Sequence, residues 1–426
     1  MRILTVATDL GIGGTQRVAQ NLTIGMQSRG ADVAFLAHRN GGPRQAHLAA
    51  RNIEAFVVSG DKTLATTLDE ATAWKPDIVH IHRTGRPDAS ETAILRQLRG
   101  TGAKVVETNV FARYDWTEGG ELIDAHCQLS RWCAYKWHSW AGRKADGKLS
   151  FLLPNAVDID SIHPLPADER AALRTKFGVP AGRFLFGRIG QPINSKWDPE
   201  ILNAFRQVVE DGHDVGLLLV GAPASYPGRV EALPQPVRDR ILFLPTTSND
   251  KELQGYFSVL DSFLHLAHIG ESFGMVLCEA MLAGVPVVTL STPLRDNSQL
   301  EVIGHGQGGV VALDAAAVPK AMIALVGDSA LRQRARDTGR DWVASRYAVD
   351  KITTDLAAIY DVVLGVTAPA DSPIEVNNPP SLDWIDDMLS RGIGTGMSPI
   401  ERAQFRAIHT PLGYKVYFAA RKLLRR

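Results

Sequence analysis

The chain runs one pattern twice. Short apolar stretches rich in β-branched residues alternate with longer amphipathic stretches, and glycine-containing links separate them. In the first half the short runs are 2–7, 32–37, 53–58, 78–81 and 104–106. Between the first two, residues 15–28 carry Val18, Ala19, Leu22 and Met26 at helical spacing. The alternation restarts with 184–189, 215–220, 241–244, 262–266 and 285–290, with helices expected at 199–210 and 273–283. A strand reaches a parallel neighbour only through a crossover, so regular strand–helix alternation specifies βαβ units and parallel sheets. Pro154, Pro164, Pro166 and Pro180 punctuate the middle. The expected class is therefore α/β, with two sheet domains facing a cleft. Residues 1–165 form the first domain, 166–365 the second, and 366–426 a linker followed by a basic helical segment. Ligands in open sheets of this kind bind at the carboxyl ends of the strands.

Composition narrows the possibilities. Hydrophobic residues make up 45% of the 426 positions and charged ones 22%, enough for two large cores. Lys plus Arg and Asp plus Glu both number 46, and a zero balance argues against a nucleic-acid partner. Three cysteines, Cys127, Cys133 and Cys278, fit a reducing cytoplasm and lack zinc-ligand spacing, so no metal site is expected. The apolar run after Arg2 is too short for a signal peptide, and no run reaches the roughly 20 residues of a spanning helix. The expected location is the cytoplasm, peripheral contact with the inner face of the membrane included.

Three segments carry chemistry. The first is Asp9-Leu-Gly-Ile-Gly-Gly-Thr-Gln-Arg17, between the first strand and the first helix, where Gly13 and Gly14 let the backbone approach a ligand. Gln16 stands where a dinucleotide fingerprint needs its third glycine, which disfavours that reading. The second is Gly270-Glu-Ser-Phe-Gly-Met-Val-Leu-Cys-Glu279, after the strand ending at Leu266. A helix starting near Phe273 would turn the amide N–H groups of Ser272, Phe273, Gly274, Met275 and Val276 toward a phosphate. Glu271 would reach a neighbouring hydroxylated group, and Glu279 would face the same ligand from deeper. On one continuous helix these two carboxylates stand about 12 Å apart, too far for a glycosidase pair. The third segment places Arg188 at a strand end and Lys196 in the turn after it, two cations suited to a departing diphosphate.

Taken in order, Gly13-Gly14-Thr-Gln-Arg17, Pro154-Asn-Ala-Val-Asp158, Gly187-Arg188 with Lys196, and Glu271 with Glu279 resemble the retaining glycosyltransferases of family 4 over roughly residues 1–365. The resemblance implies the GT-B fold: two Rossmann-like, doubly wound parallel-sheet domains. It implies transfer of a sugar from a nucleotide-sugar donor to a glycan or lipid-linked acceptor, with retention and without metal or other cofactor, in bacterial surface polysaccharide synthesis. By position, Arg188 and Lys196 would bind the diphosphate, Glu271 the sugar hydroxyls and Glu279 the ribose. The backbone of 272–276 would touch phosphate and sugar, and the Gly13-Gly14 loop would cover the donor. The family's first-domain histidine is missing from Val105-Val106-Glu107-Thr108-Asn109-Val110. Asn109 is the substitute there, and His80 and His82 are further candidates on the acceptor side.

Two basic aromatic stretches remain. Trp132, Trp137 and Trp140 alternate with cations in 131–144, which suits either an anionic membrane surface or a buried helix face. Residues 398–426 hold seven basic residues against Glu401, which suits an interfacial helix or one that packs back on the body. The rival activities on the same architecture are a nucleotide-sugar epimerase and a non-catalytic nucleotide-sugar binder.

Overall fold

The structure is a computed structural model that describes residues 1–60, 62–247 and 249–423, with the side chains of 421–423 left aside. Part of the terminal basic segment, Arg421, Lys422 and Leu424 to Arg426, thus lies outside the described side chains.

The chain forms two compact units. The first comprises Met1–Val157, Tyr347–Ser381 and Arg406–Arg426; the second comprises Asp158–Arg346 and Leu382–Phe405. The first sheet has seven strands: β1 (Arg2–Asp9), β2 (Asp32–Asn40), β3 (Glu54–Val57), β4 (Ile78–Arg83), β5 (Lys104–Asn109), β6 (Ala125–Gln128) and β7 (Leu149–Leu152). The second has six: β8 (Phe184–Ile189), β9 (Val215–Val220), β10 (Ile241–Leu244), β11 (Ser262–His265), β12 (Val287–Leu290) and β13 (Gly309–Ala312). Their orders are β3-β2-β1-β4-β5-β6-β7 and β10-β9-β8-β11-β12-β13, with every named pairing parallel. In both sheets the order reverses beside the first strand, between β1 and β4 and between β8 and β11, which is the doubly wound arrangement.

Five helices position the residues of interest: α1 (Gly14–Ser28), α2 (Arg131–Ala141), α3 (Met275–Leu282), α4 (Val349–Val363) and α5 (Pro411–Leu423). Strands covered on both faces must be apolar along their length, as β9 is, with all six residues buried. Leu217, Leu219, Leu264 and Val288 meet Ile201, Phe205 and Val208 in the second core. Leu4, Val6, Val79 and Val105 meet Ile94, Leu95 and Leu98 in the first.

Helix α4 returns to the first unit. It packs on α1, and its Tyr360 hydroxyl lies 2.6 Å from His80 Nδ1. The tryptophans of α2 settle the choice between surface and core. Trp132 and Trp137 are fully buried and Trp140 is 5% exposed, so this stretch is interior rather than a membrane face. The described part of α5 packs back on α2, with Tyr414 stacked on Trp140 at 4.4 Å. No helix among the described residues is long and apolar enough to cross a membrane.

Candidate functional site

The site grows from the ends of β8 and β11. Arg188 lies one residue from the end of β8 with its guanidinium 5.2 Å from the Trp197 ring and 5.9 Å from the Phe263 ring. It is fully buried. Nη1 donates to Ile189 O at 3.0 Å and Nη2 to Lys196 O at 2.8 Å, so the side chain folds the turn after β8 back over itself. Burial lowers its pKa to about 10, against the pull of Glu271, and it stays a cation at neutral pH. Its Nε has no hydrogen-bond partner among the described residues. Two backbone bonds then stitch the turn to the segment after β11: Ile269 N donates to Ser195 O, and Asp198 N to Leu266 O, each at 3.2 Å.

Glu271 is set by the backbone on both sides. Its N–H donates to Gln299 Oε1 at 3.1 Å, and its carbonyl accepts from Ser298 N at 2.9 Å. Gln299 is itself anchored through Nε2, which donates to Leu290 O at 3.0 Å and Thr292 Oγ1 at 2.8 Å. Gly270 precedes it with φ +68°, and a Cβ there would stand 1.6 Å from Asp296 O, so only glycine fits.

Glu271 Oε1 lies 3.6 Å from Lys196 Nζ and 3.4 Å from His265 Nε2. Burial alone would raise its pKa. Lys196 foremost, then His265 and Arg188, outweigh that effect and hold the carboxyl at about 2. His265, at the end of β11, is pushed down to about 4, first by burial and then by Arg188, so it is a neutral imidazole at pH 7. The result is a buried carboxylate facing a half-exposed ammonium, with a guanidinium behind and a neutral imidazole beside it.

The start of α3 adjoins this cluster. Gly274 caps the helix in the left-handed region, φ +95° and ψ +69°, and its Cβ position lies 3.4 Å from Glu271 Cγ. The helix begins at Met275, two residues after the expected Phe273, and leaves Glu271 before it and Glu279 on it. Ser272 and Phe273 are buried in the approach to the helix; Met275, Val276 and Glu279 are half-buried on it. The dipole's positive end and the first-turn amides therefore stand beside Glu271. Sequence reasoning brought Arg188, Lys196 and Glu271 together but passed over His265 and Gln299. His265 carried a readable signal, a histidine closing the strand that leads into the Glu271 segment.

The other candidates lie in the first unit. The Gly13-Gly14 turn begins α1 and is tied by Asp9 Oδ1, which accepts from Gly11 N at 2.8 Å and Gln16 Nε2 at 2.9 Å. Gln16 thus closes the loop at the position where a dinucleotide fold keeps glycine. Both His80 ring nitrogens are engaged, with Tyr360 at 2.6 Å and Thr108 Oγ1 at 2.8 Å. His82 stacks on His80 at 4.9 Å and is equally buried, and neither of its ring nitrogens has a hydrogen-bond partner among the described residues. Asn109 closes the following loop: its amide donates to Arg113 O and its carbonyl accepts from Arg113 N. In the same segment Glu107 Oε2 sits 2.6 Å from His126 Nδ1, and Oε1 is 3.6 Å from Arg83 Nε. Arg83 also meets Glu91 at 3.0 Å and Asp115 at 2.6 Å.

Residues 184–328 match the family described as Glycosyl transferases group 1. The chain is 28% identical over 301 residues to a phosphatidyl-myo-inositol mannosyltransferase of Mycobacterium leprae, covering 67% of this chain and 74% of that one. It is 29% identical over 195 residues to an N-acetyl-alpha-D-glucosaminyl L-malate synthase of Bacillus anthracis, covering 45% of this chain and about half (49%) of the relative. The Anabaena protein Alr3699/HepE, solved with UDP and glucose, shares the fold with a TM-score of 0.65 at 18% identity, over 85% of this chain and 99% of that one. The match to the group 1 glycosyltransferases thus falls within the second unit, and the two parallel-sheet units have the fold of the GT-B glycosyltransferases.

Proposed function

We propose that this chain is a retaining glycosyltransferase of family 4, which takes a sugar from a nucleotide-sugar donor and passes it to a glycan or glycolipid acceptor in bacterial surface-glycan assembly. The observation that carries this reading is the Glu271 carboxylate held between Lys196 and His265 beside the start of α3. The named activities of the relatives, mannosyl and glucosaminyl transfer, support the reaction class.

The chemistry asks for three things. The donor's diphosphate gains charge as the anomeric carbon–oxygen bond lengthens, so fixed positive charge near it lowers the barrier. Lys196 is the accessible cation; Arg188, buried behind, holds the Lys196 turn and adds its field. The α3 amides supply a second positive element that needs no reorganisation. Glu271 is ionised throughout the working pH range, so its role is to accept hydrogen bonds from donor-sugar hydroxyls and fix the ring. It is not a general acid. Glu279 would take the ribose hydroxyls. In front-face displacement the acceptor oxygen bonds to the anomeric carbon on the face that the phosphate leaves. The departing phosphate oxygen accepts the acceptor's proton, which balances the step without an enzyme base.

A thermal-shift panel of nucleotide sugars tests the donor, since a ligand at a hundredfold its Kd stabilises the folded state by about 2.7 kcal/mol. Product analysis with and without a lipid or glycan acceptor then separates transfer from its rivals. An altered sugar without acceptor would mark an epimerase, and binding without turnover a carrier.

A further inference from the structure

Helix α5 is seated by one face. Tyr414, 2% exposed, stacks on Trp140 with ring centroids 4.4 Å apart. Its hydroxyl donates to Tyr114 O and accepts from Tyr114 N, both at 3.0 Å. One turn on, Phe418 meets Tyr414 edge-on at 4.5 Å, and the Arg86 guanidinium lies 5.2 Å from the Phe418 ring. Contacts on successive turns fix the rotation of the helix, so the residues opposite them are aimed outward. These are Leu412, Lys415, Val416 and Ala419, at spacings of three and four. Leu412 is 73% and Val416 60% exposed, and Lys415 and Ala419 are exposed beside them. Leu412 and Val416 stand one turn apart on that face and so form one aliphatic stripe rather than scattered single residues.

Charge says what covers it. No Asp or Glu occurs from Arg402 to Arg426. A Cβ on Gly142 would stand 2.8 Å from Pro411 Cγ, so exposed Arg143 and Lys144 sit at the amino end of α5, with Asp146 the acid nearest to them in sequence. Pairing this face with a copy of itself would set cation against cation. An anionic lipid surface satisfies both halves of the pattern: acyl chains cover the aliphatic stripe, and headgroups meet Lys415, Arg143 and Lys144.

We propose that the Leu412–Lys415–Val416–Ala419 face of α5 lies in the headgroup region of an anionic bilayer and holds the first unit at the membrane. The inference does not require the donor-side reading; it adds the surface on which a lipid-linked acceptor would be met. The test is co-sedimentation of the full chain with vesicles of phosphatidylcholine alone and of phosphatidylcholine with phosphatidylglycerol. The wild type is expected to partition onto the anionic vesicles and not the neutral ones. Leu412→Ser with Val416→Ser is expected to weaken partition by about tenfold while keeping the wild-type Tm. Equal partition of variant and wild type would overturn the proposal. So would a wild type indifferent to both vesicles, or a variant that changes only the mass in sedimentation velocity. A nucleotide-sugar thermal shift on the same samples reports separately on the donor site.

Discussion

The Lys196 ammonium stands 3.6 Å from Glu271 Oε1, one from the turn after β8 and the other from the turn after β11. The two strands are neighbours in the sheet, so parallel pairing delivers both groups to the same carboxyl-terminal edge. Lys196 is 40% exposed at its side chain and Glu271 only 10%, so the pair is wet on one side and dry on the other. Its value is therefore in placing charge rather than in stability.

Lys196→Ala should cost about a hundred- to a thousandfold in turnover, the scale for removing one group that stabilises developing charge. It also removes the foremost influence that keeps the Glu271 carboxyl at about 2. The acid limb of the pH–rate profile should then move upward. Initial rates across pH check both; an unchanged profile would take Lys196 out of the site.

Arg188→Met keeps the volume but leaves Ile189 O and Lys196 O without their donor. A loss of about 2–4 kcal/mol is expected, from two buried carbonyls unsatisfied at once. Urea unfolding measures it. Turnover should fall even below the unfolding midpoint, because the Lys196 turn loses its brace.

Gly270→Ala meets two obstacles, φ +68° and Asp296 O at 1.6 Å from the new Cβ. The 269–271 segment must move, carrying Glu271 with it. Donor-induced thermal shift should disappear, and stability should fall by about 3 kcal/mol or more.

Acid should unfold the protein through its buried histidines. Burial holds His82 down to about 3 and His265 and His138 to about 4, against 6.5 for the free side chain. Below pH 6.5 the unfolded chain binds protons that the folded chain refuses. Stability is thus full above 6.5 and is lost as pH falls toward 4, by about 1.4 kcal/mol per pH unit for each such histidine. His82→Phe leaves no partner unsatisfied, since neither ring nitrogen is hydrogen-bonded. It should keep the Tm at pH 7 and flatten the decline between pH 6.5 and 5, as thermal melts across pH would show.

The fold class was legible because it rests on local pattern. Alternating apolar runs and helical periodicity are written in neighbouring residues, and β8, β9 and β10 fall where those runs lie. Short strands such as β6 and β7, four residues each, carry too little pattern to stand out. The candidate site was legible in part. Arg188, Lys196 and Glu271 could be named from strand ends and a glycine-rich turn. His265 could have been placed at its strand end, but its contact with Glu271 could not, because that contact depends on how a left-handed Gly274 and a tight Gly270 bend the segment. Long-range contacts are silent in sequence: Tyr360 reaches His80 across 280 positions, and nothing near either residue announces it. Nor does amphipathic spacing say what a helix covers. The tryptophans of α2 look like a surface belt until Tyr414 and His409 are seen stacked on Trp140.

The central claim is that the second unit grips a nucleotide sugar through the Glu271 carboxylate and the charges around it. Calorimetric titration of the matching donor and of its nucleoside diphosphate into wild type and Glu271→Gln tests it most directly. The account predicts that the variant keeps the diphosphate affinity within a few-fold, loses about tenfold or more for the intact donor, and turns over at least a hundredfold more slowly. Wild-type donor affinity and wild-type turnover in Glu271→Gln would contradict it.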